Sequence, residues 1–306
     1  MLHNFGSINL DHIYRVPHLV TPGETLTSHG YRVGLGGKGA NQSLAMARAG
    51  GQVRHWGRLG RQDAWARDLL EASGVDVDSV ELVDEPSGHA IIQVDDAGEN
   101  AILLFPGANH GFNEANLEAR LAEASPGDWL LAQNECIALP YLFEAARERG
   151  LYIAFNPAPM TADAAELPLE ACRLLFVNRS EAEMLTGLPA GSAASALLDA
   201  LASRLPATET VLTLGGDGAW YQVGETRHFQ PPMPVTPVDT TAAGDTFIGY
   251  YLAALQDGEG PEACLARAAA AAALGVQRSG AAESIPEAAE VAQWQRQTQS
   301  QTPNTP

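Results

Sequence analysis

The sequence predicts an α/β protein: a three-layer α/β/α sandwich around a mostly parallel sheet, with a small separate β-sheet attached. Three observations lead there. From about residue 113 onward, amphipathic helical patterns alternate with short apolar strands, the rhythm of a parallel sheet covered on both faces. Each of those strands runs straight into a polar or glycine-rich point. The first hundred residues break the rhythm, with β-like runs and glycine turns that fit a flap better than the main sheet.

In order, Phe5–Ile8 reads as a first strand that ends at Asn9-Leu10-Asp11, and Thr21–Val33 as an extended segment opened by the Pro22-Gly23 turn. Gly36-Gly37 introduces a helix, since Ala40, Leu44 and Ala47 recur at helical spacing. Val53–Leu59 is expected as a strand and Ala64–Ala72 as a helix; strands Ala90–Val94 and Ala101–Phe105 flank a turn at Asp96–Glu99. Helix Asn113–Ala124 then precedes strand Trp129–Ala132, helix Leu139–Arg149 precedes strand Tyr152–Phe155, and a loop with a short helix precedes strand Leu174–Val177. Helix Ser192–Arg204 leads to strand Thr210–Leu214, and helices Ala243–Leu255 and Pro261–Val276 follow. Residues 1–292 are read as one domain with lid segments at about 11–34 and 88–106, and residues 293–306, rich in Gln, Thr and Pro, as a mobile tail.

Composition excludes several functions. The 306 residues are 45% hydrophobic and 18% charged, which suits a globular core. With 37 acidic against 18 basic residues the formal charge is −19, a poor match for nucleic acid or anionic membrane. Lys38 is the only lysine. No apolar run approaches the roughly 20 residues that span a bilayer, and no signal-peptide pattern opens the chain. Cys136, Cys172 and Cys264 are scattered, with neither disulfide nor metal-ligand spacing. A reducing, cytoplasmic location is expected.

Ligands of open α/β sheets sit beyond the carboxyl ends of the strands. That rule selects Asn9–Asp11, Gln133–Glu135, Asn156–Pro159, Asn178–Glu181 and Thr213–Gly218. A further signal is Asp239-Thr240-Thr241-Ala242-Ala243-Gly244-Asp245-Thr246-Phe247, a turn of small residues entering an apolar helix. Amides converging at such a helix start suit an anion, and Asp245 is placed to take a proton from a hydroxyl; it can equally be a plain helix cap. In Gly34-Leu35-Gly36-Gly37-Lys38-Gly39-Ala40-Asn41 the glycines let backbone approach a polyol, and Asn41 offers a donor and an acceptor; a tight turn into a helix is the alternative. The stretch lacks the Ser/Thr and glycine spacing of a P-loop and is no dinucleotide fingerprint. Asp11 and Glu135 are either sugar acceptors or solvated loop carboxylates, Glu181 can be a simple first-turn acid, and Gly215–Gly218 a hairpin turn.

The ordered pair GLGGKGAN and DTTAAGDTF resembles the two signature regions of the ribokinase-like (PfkB) carbohydrate kinases, over the chain up to about residue 290. GSINLDH, TPGET, PGAN and NPAP resemble its ribose-phosphorylating branch, although Asn134 and Cys136 beside Glu135 and the turn Gly60–Asp63 depart from it. The resemblance implies a ribokinase-like fold with a β-sheet lid, and transfer of a phosphoryl group from ATP to D-ribose. Other acceptors in the family are fructose, a nucleoside or a 2-keto-3-deoxy sugar acid, and a non-catalytic sugar- or nucleotide-binding regulator is the reading from another class. It implies Asp245 as general base and an anion hole at Ala242, Ala243 and Gly244. Asp11, Gly37, Lys38, Asn41 and Glu135 would hold the sugar, and Asn178, Thr213, Gly215, Gly218 and Gly244 the ATP. Glu181 would organise Mg²⁺ through water. Asp239, Thr241, Gly275, Arg278, Gly280 and Ser284 would surround an activating K⁺, and the lid would form a homodimer contact.

Overall fold

The computed structural model describes residues 1–301. Its elements are β1 (Leu2–Phe5), β2 (Asn9–Arg15), β3 (Gly30–Gly36), α1 (Lys38–Arg48), β4 (Val53–Gly60), α2 (Trp65–Ala72), β5 (Val80–Val83), β6 (Gly88–Val94) and β7 (Asn100–Phe105). There follow α3 (Glu114–Leu121), β8 (Trp129–Gln133), α4 (Leu139–Glu148), β9 (Tyr152–Asn156), α5 (Ala162–Ala165), β10 (Leu174–Asn178), α6 (Arg179–Thr186), α7 (Ala194–Arg204) and β11 (Glu209–Thr213). The chain continues with β12 (Ala219–Val223), β13 (Thr226–Gln230), α8 (Ala243–Gln256), α9 (Pro261–Gly275) and α10 (Ala288–Gln301).

Among the described residues the main sheet has nine strands in the order β13-β12-β11-β10-β9-β8-β1-β4-β5. The pairs from β11 to β5 are parallel, and only the β11–β12–β13 edge is antiparallel. Both faces are buried, as the apolar strands require. In β10, Leu174 and Phe176 join one core, while Leu175 and Val177 join the other. The first core receives side chains from α1, α2, α8 and α9, and the second from α3, α4, α6 and α7. This is the expected three-layer sandwich.

The strand order also places the site. From β1 the chain first builds outward through β4 and β5, then returns to the other side of β1 to add β8, β9, β10 and β11. The crevice at that reversal, between β1 and β8, is where α/β sheets accept ligands. The small sheet, in the order β3-β2-β6-β7, stands over it. β2 leaves β1 after only three residues, so this end of the main sheet and the small sheet are joined there by a short link.

Several expectations need correction. The first strand is Leu2–Phe5, not Phe5–Ile8, because Gly6 packs against Gly39 at a separation that leaves no room for a Cβ; the chain there is a crossing point and not a ladder. Within Thr21–Val33 only the part from Gly30 pairs, in register with β2; Thr21 and Glu24 instead close a local turn. Strands β5, β12 and β13 are not among the expected elements; at four or five residues each they are too short for a periodic pattern to stand out. Where a mobile tail was expected from residue 293, α10 runs to Gln301; Val291 is buried and Trp294 packs against the first core. Residues 302–306 of that expectation lie outside the described residues.

Candidate active site

Helix α8 begins at the centre of the cleft. Its N-cap, Ala242, has φ +60°, a left-handed conformation that costs an alanine about 1–2 kcal/mol. The kink lets the chain turn abruptly from the Asp239–Thr241 loop into the helix. The amide of Ala243 closes that turn on the carbonyl of Thr240 (3.2 Å), while Thr246 N–H makes the first intrahelical bond to Ala242 (2.8 Å). The amides of the first turn between them, at Gly244 and Asp245, have no partner inside the helix. Space around Gly244 is open: a Cβ there would meet nothing within 4 Å.

Asp245 is buried and held on both oxygens. Asn41 Nδ2 donates to Oδ2 (3.1 Å) and Gln42 Nε2 to Oδ1 (2.8 Å). It lines a cavity of about 240 Å³ together with Lys38, Asn156, Asn178, Glu181, Thr213 and the Ala242–Gly244 turn. Lys38, the only lysine of the protein, brings its ammonium there. Burial would lower its pKa, but the carboxylates of Asp245, Glu135, Glu181 and Asp11 outweigh burial and raise it. Glu181 forms a capping box with Asn178: its Oε2 accepts Asn178 N–H (2.8 Å) while Asn178 Oδ1 accepts Glu181 N–H (2.9 Å). The bland reading of Glu181 as a helix-start acid is therefore correct. It is also buried and faces the cavity, where burial raises its carboxyl above the ordinary value.

On one side this cavity opens into an apolar hollow of about 320 Å³, sharing Thr213, Thr240, Ala243 and Gly244. Its walls include the Gly215–Gly218 hairpin turn, Pro231, Met233 and the alanines of α9. Gly215–Gly218 is thus both the hairpin turn between β11 and β12 and a wall of the pocket. On the opposite side lies the lid. Glu135 accepts the hydroxyl of Ser7 and the backbone N–H of Lys38 (3.0 Å), and borders a hollow of about 230 Å³ with Asn9, Leu104, Asn109 and His110. Asp11 projects from β2 above Gly36, where any Cβ would land on its carboxylate. Gly37, at φ +90°, lies against Ser7 and Asn9, so a side chain is barred by both conformation and space. Burial, then the negative charges of Glu135 and Glu283, lift the Asp11 carboxyl to about 6, against the pull of Arg32 and Lys38. Among the described residues Asn41 Oδ1 is buried with no hydrogen-bond partner, so it can accept one from a bound hydroxyl.

Behind α8, Asp239 ties two loops together by accepting Thr241 N–H (2.9 Å), Thr241 O–H (2.6 Å) and Gly280 N–H (3.0 Å). Partial burial would raise its carboxyl, but these bonds prevail and hold it below the ordinary range. A Cβ at Gly275 would lie 3.5 Å from the Ser284 carbonyl, so the end of α9 joins the same cluster. The Arg278 side chain turns away to Glu290 (2.6 Å), leaving only its backbone to the loop.

The predicted residues therefore converge on one crevice with two wings and a cluster behind it. Sequence reasoning missed Gln42, which bonds Asp245 directly, and gave no individual role to Asn9, Asn109 and Thr240, which lie inside the stretches it selected. A usable signal existed for Gln42: Asn41, Gln42 and Ser43 are consecutive polar residues in a helix whose positions 39–46 are all buried. Polar side chains with no solvent face must be partnered.

Comparison with known proteins agrees with the geometry. The pfkB family carbohydrate kinase profile matches residues 1–288. The ribokinase of Haemophilus influenzae is 35% identical over 288 residues, covering 92% of this chain and 94% of the relative. That of Schizosaccharomyces pombe is 36% identical over 304 residues, covering 94% and 95%. Among solved structures, Arabidopsis thaliana ribokinase complexed with ribose and ATP superposes with a TM-score of 0.85 at 30% identity, covering 96% of this chain and 97% of that one. The Cryptococcus neoformans ribokinase in complex with ADP gives 0.82 at 32% identity, covering 95% and 98%. By profile, sequence and fold, the chain belongs to the pfkB family of carbohydrate kinases.

Proposed function

We propose that this protein transfers the γ-phosphoryl group of ATP to D-ribose, giving D-ribose 5-phosphate and ADP. The observation that carries the reading is the position of Asp245. A carboxylate held by two amide donors stands at the first turn of a helix, in a polar cavity that adjoins an apolar hollow. The relatives that support the choice of acceptor are ribokinases, one of them solved with ribose and ATP.

In this reading the ribose hydroxyls bond to Asp11, Glu135 and the unpartnered Oδ1 of Asn41, with Gly37 and Lys38 closing the pocket beneath them. The adenine lies in the apolar hollow beside Gly215 and Gly218, and the phosphates run past Thr213 and Asn178 toward Gly244. Asp245 takes the proton of the primary hydroxyl as that oxygen attacks. The turn at Ala242–Gly244, through the Gly244 amide that has no partner inside the helix, together with Lys38, stabilises the charge on the transferring group. A loose phosphoryl transition state needs positioning and charge compensation more than a strong base.

The residues present fit a magnesium ion in one specific way. Among the described residues no cluster of three or more His, Cys, Asp or Glu side chains forms a cage. Glu181 alone would hold Mg²⁺, through water, with the nucleotide phosphates supplying the rest, as is usual for this ion. Bound there, it would neutralise phosphate charge. A monovalent cation such as K⁺ would sit in the Asp239, Thr241, Gly275, Arg278, Gly280 and Ser284 cluster, where the fixed carboxylate of Asp239 ties two loops together behind the helix start and supplies negative charge.

The lid exposes Ile102 (60%), Leu103 (68%), Leu104 and Phe105 on its edge strand. Such a strand calls for a cover, and a second copy of the chain would provide it in a cytoplasmic homodimer. The deciding experiment is the initial rate of ADP formation with Mg-ATP in KCl or NaCl, comparing ribose, 2-deoxyribose, fructose, adenosine and a 2-keto-3-deoxy sugar acid. Ribose is expected to lead in kcat/KM by tenfold or more, faster in KCl. Another winner would move the acceptor, and no turnover with any of them would refute the kinase reading.

A further inference from the structure

Asp245 is the visible end of a polar chain that runs through the protein interior. Gln42 Nε2 donates to Asp245 Oδ1 (2.8 Å) and to Asn156 Oδ1 (3.3 Å), and Gln42 Oε1 accepts Gln133 Nε2 (2.8 Å). Gln133 Nε2 also donates to Asn4 Oδ1 (2.9 Å). Asn4 Nδ2 donates to the Gly39 carbonyl (2.8 Å) and to Ser43 Oγ (2.8 Å); Ser43 lies 2.8 Å from His55 Nδ1, and His55 Nε2 lies 3.1 Å from the Gly6 carbonyl. Asn4, Gln42, Ser43, His55 and Gln133 are all fully buried.

The direction of every bond in this chain is determined by its ends. Backbone carbonyls only accept, so Gly39 obliges Asn4 to present its NH₂ there and its oxygen to Gln133. Gln133 must then answer with its NH₂, which it spends on both Asn4 and Gln42. Gln42 receives a donor at its oxygen and is left to point its own NH₂ at Asp245. At the other end Gly6 places the proton of His55 on Nε2, so Nδ1 accepts from Ser43. Asn156 closes the remaining branch by donating to the Phe176 carbonyl (3.2 Å). Burial holds His55 neutral, with its pKa lowered to about 4, which preserves this tautomeric role across the working pH range.

We propose that Gln42 is a positioning residue for the phosphoryl transfer, and that Gln133 and Asn4 act through it by fixing the direction of its amide. The inference rests on the kinase reading of Asp245. Without the network the Gln42 amide can rotate and present its oxygen to the Asp245 carboxylate, turning an attraction into a repulsion and swinging the base off line. Five buried polar side chains are an expensive way to fill a core, and an orienting role accounts for where the chain ends.

The test uses the full-length protein with Gln42→Met, Gln133→Met and the double variant, each close in volume to the original. Wild-type turnover of a sugar is the control, since its absence would refute the kinase reading and not the network. With wild type active, kcat is expected to fall about 10- to 100-fold in Gln42→Met, while Kd for ribose and for ADP, read by calorimetry, stays within about threefold. Gln133→Met should lower kcat too, yet add little in the Gln42→Met background, because it acts through the same amide. A kcat within twofold of wild type in Gln42→Met, or losses that multiply in the double variant, would overturn the proposal. If Gln42→Met does not fold, Gln42→Asn retains the amide one methylene short of Asp245; the same split between kcat and Kd is expected, and an unchanged kcat there refutes the role.

Discussion

Acidification should release the sugar, and Asp11 sets the pH at which it does so. Its carboxyl is lifted from 3.8 to about 6, first by burial and then by Glu135 and Glu283. Sugar hydroxyls donate hydrogen bonds, which favour the carboxylate, so the ionised form is the one that binds. A group titrating near 6 is about half protonated at pH 6 and about nine-tenths protonated at pH 5. Ribose affinity is therefore expected to drop about tenfold between pH 7.5 and pH 5. Binding at pH 6 should release about half a proton, measurable by calorimetry in two buffers of different ionisation enthalpy. Asp11→Asn should bind ribose more weakly, without that proton release. The sign for stability follows from the same raised value: the folded state holds this proton more tightly than the unfolded chain. The associated stability is full below pH 3.8 and lost as pH rises through about 6, with a ceiling of about 3 kcal/mol. Sugar-free Asp11→Asn should thus be more stable than wild type by up to about 3 kcal/mol at pH 8 and by about half as much at pH 5. No proton release at pH 6, or a variant with unchanged ribose affinity, would remove Asp11 from the pocket.

Three further outcomes are expected. Asp245→Asn should lower kcat by about 10²- to 10⁴-fold while ribose still binds; near-normal turnover would show that another group is the base. Where α8 crosses α1, a Cβ on Gly249 would lie 2.5 Å from Ala45 Cβ and 2.7 Å from the Met46 nitrogen. Gly249→Ala should therefore cost about 1–3 kcal/mol or more in urea unfolding, and an unchanged midpoint would mean the two helices can part freely. Arg32 on the lid meets Glu283 of the loop behind α8 at 3.3 Å, both about half exposed (47% and 54%). A double-mutant cycle with Arg32→Gln and Glu283→Gln should give a coupling in ribose affinity below about 1 kcal/mol that fades with salt; a larger, salt-insensitive coupling would mean that lid closure buries the pair.

Much of this protein could be read from the chain because its signals are local. The alternation of apolar strands and amphipathic helices from residue 113, the small-residue turn at Ala242–Gly244 and the glycines around Lys38 each depend on neighbours within a few positions, where periodicity and steric rules operate. Those rules were enough for the parallel sheet, for its helical layers and for Asp245 at a helix start. They failed where identity of position is decided across the fold. β12 and β13 form the antiparallel end of the sheet, with β13 at its edge, and pairing more than composition makes them strands. The segment after residue 293 has a polar composition, yet α10 is anchored by Val291 and Trp294 against a core that sequence does not display. Glu181 looked like a capping acid and is one; only the return of α8 to the end of β10 makes it a wall of the cleft as well. The same holds most strongly for Gln42, Gln133 and Asn4, which lie up to 129 positions apart along the chain and become one directed row of hydrogen bonds only when α1, β8 and β1 meet. Sequence alone determined the alternation of strands and helices from residue 113 and the small-residue turn that starts α8, because backbone conformation there is settled over a few residues; tertiary structure decided which buried polar groups face one another, because a hydrogen bond between distant segments has no local trace.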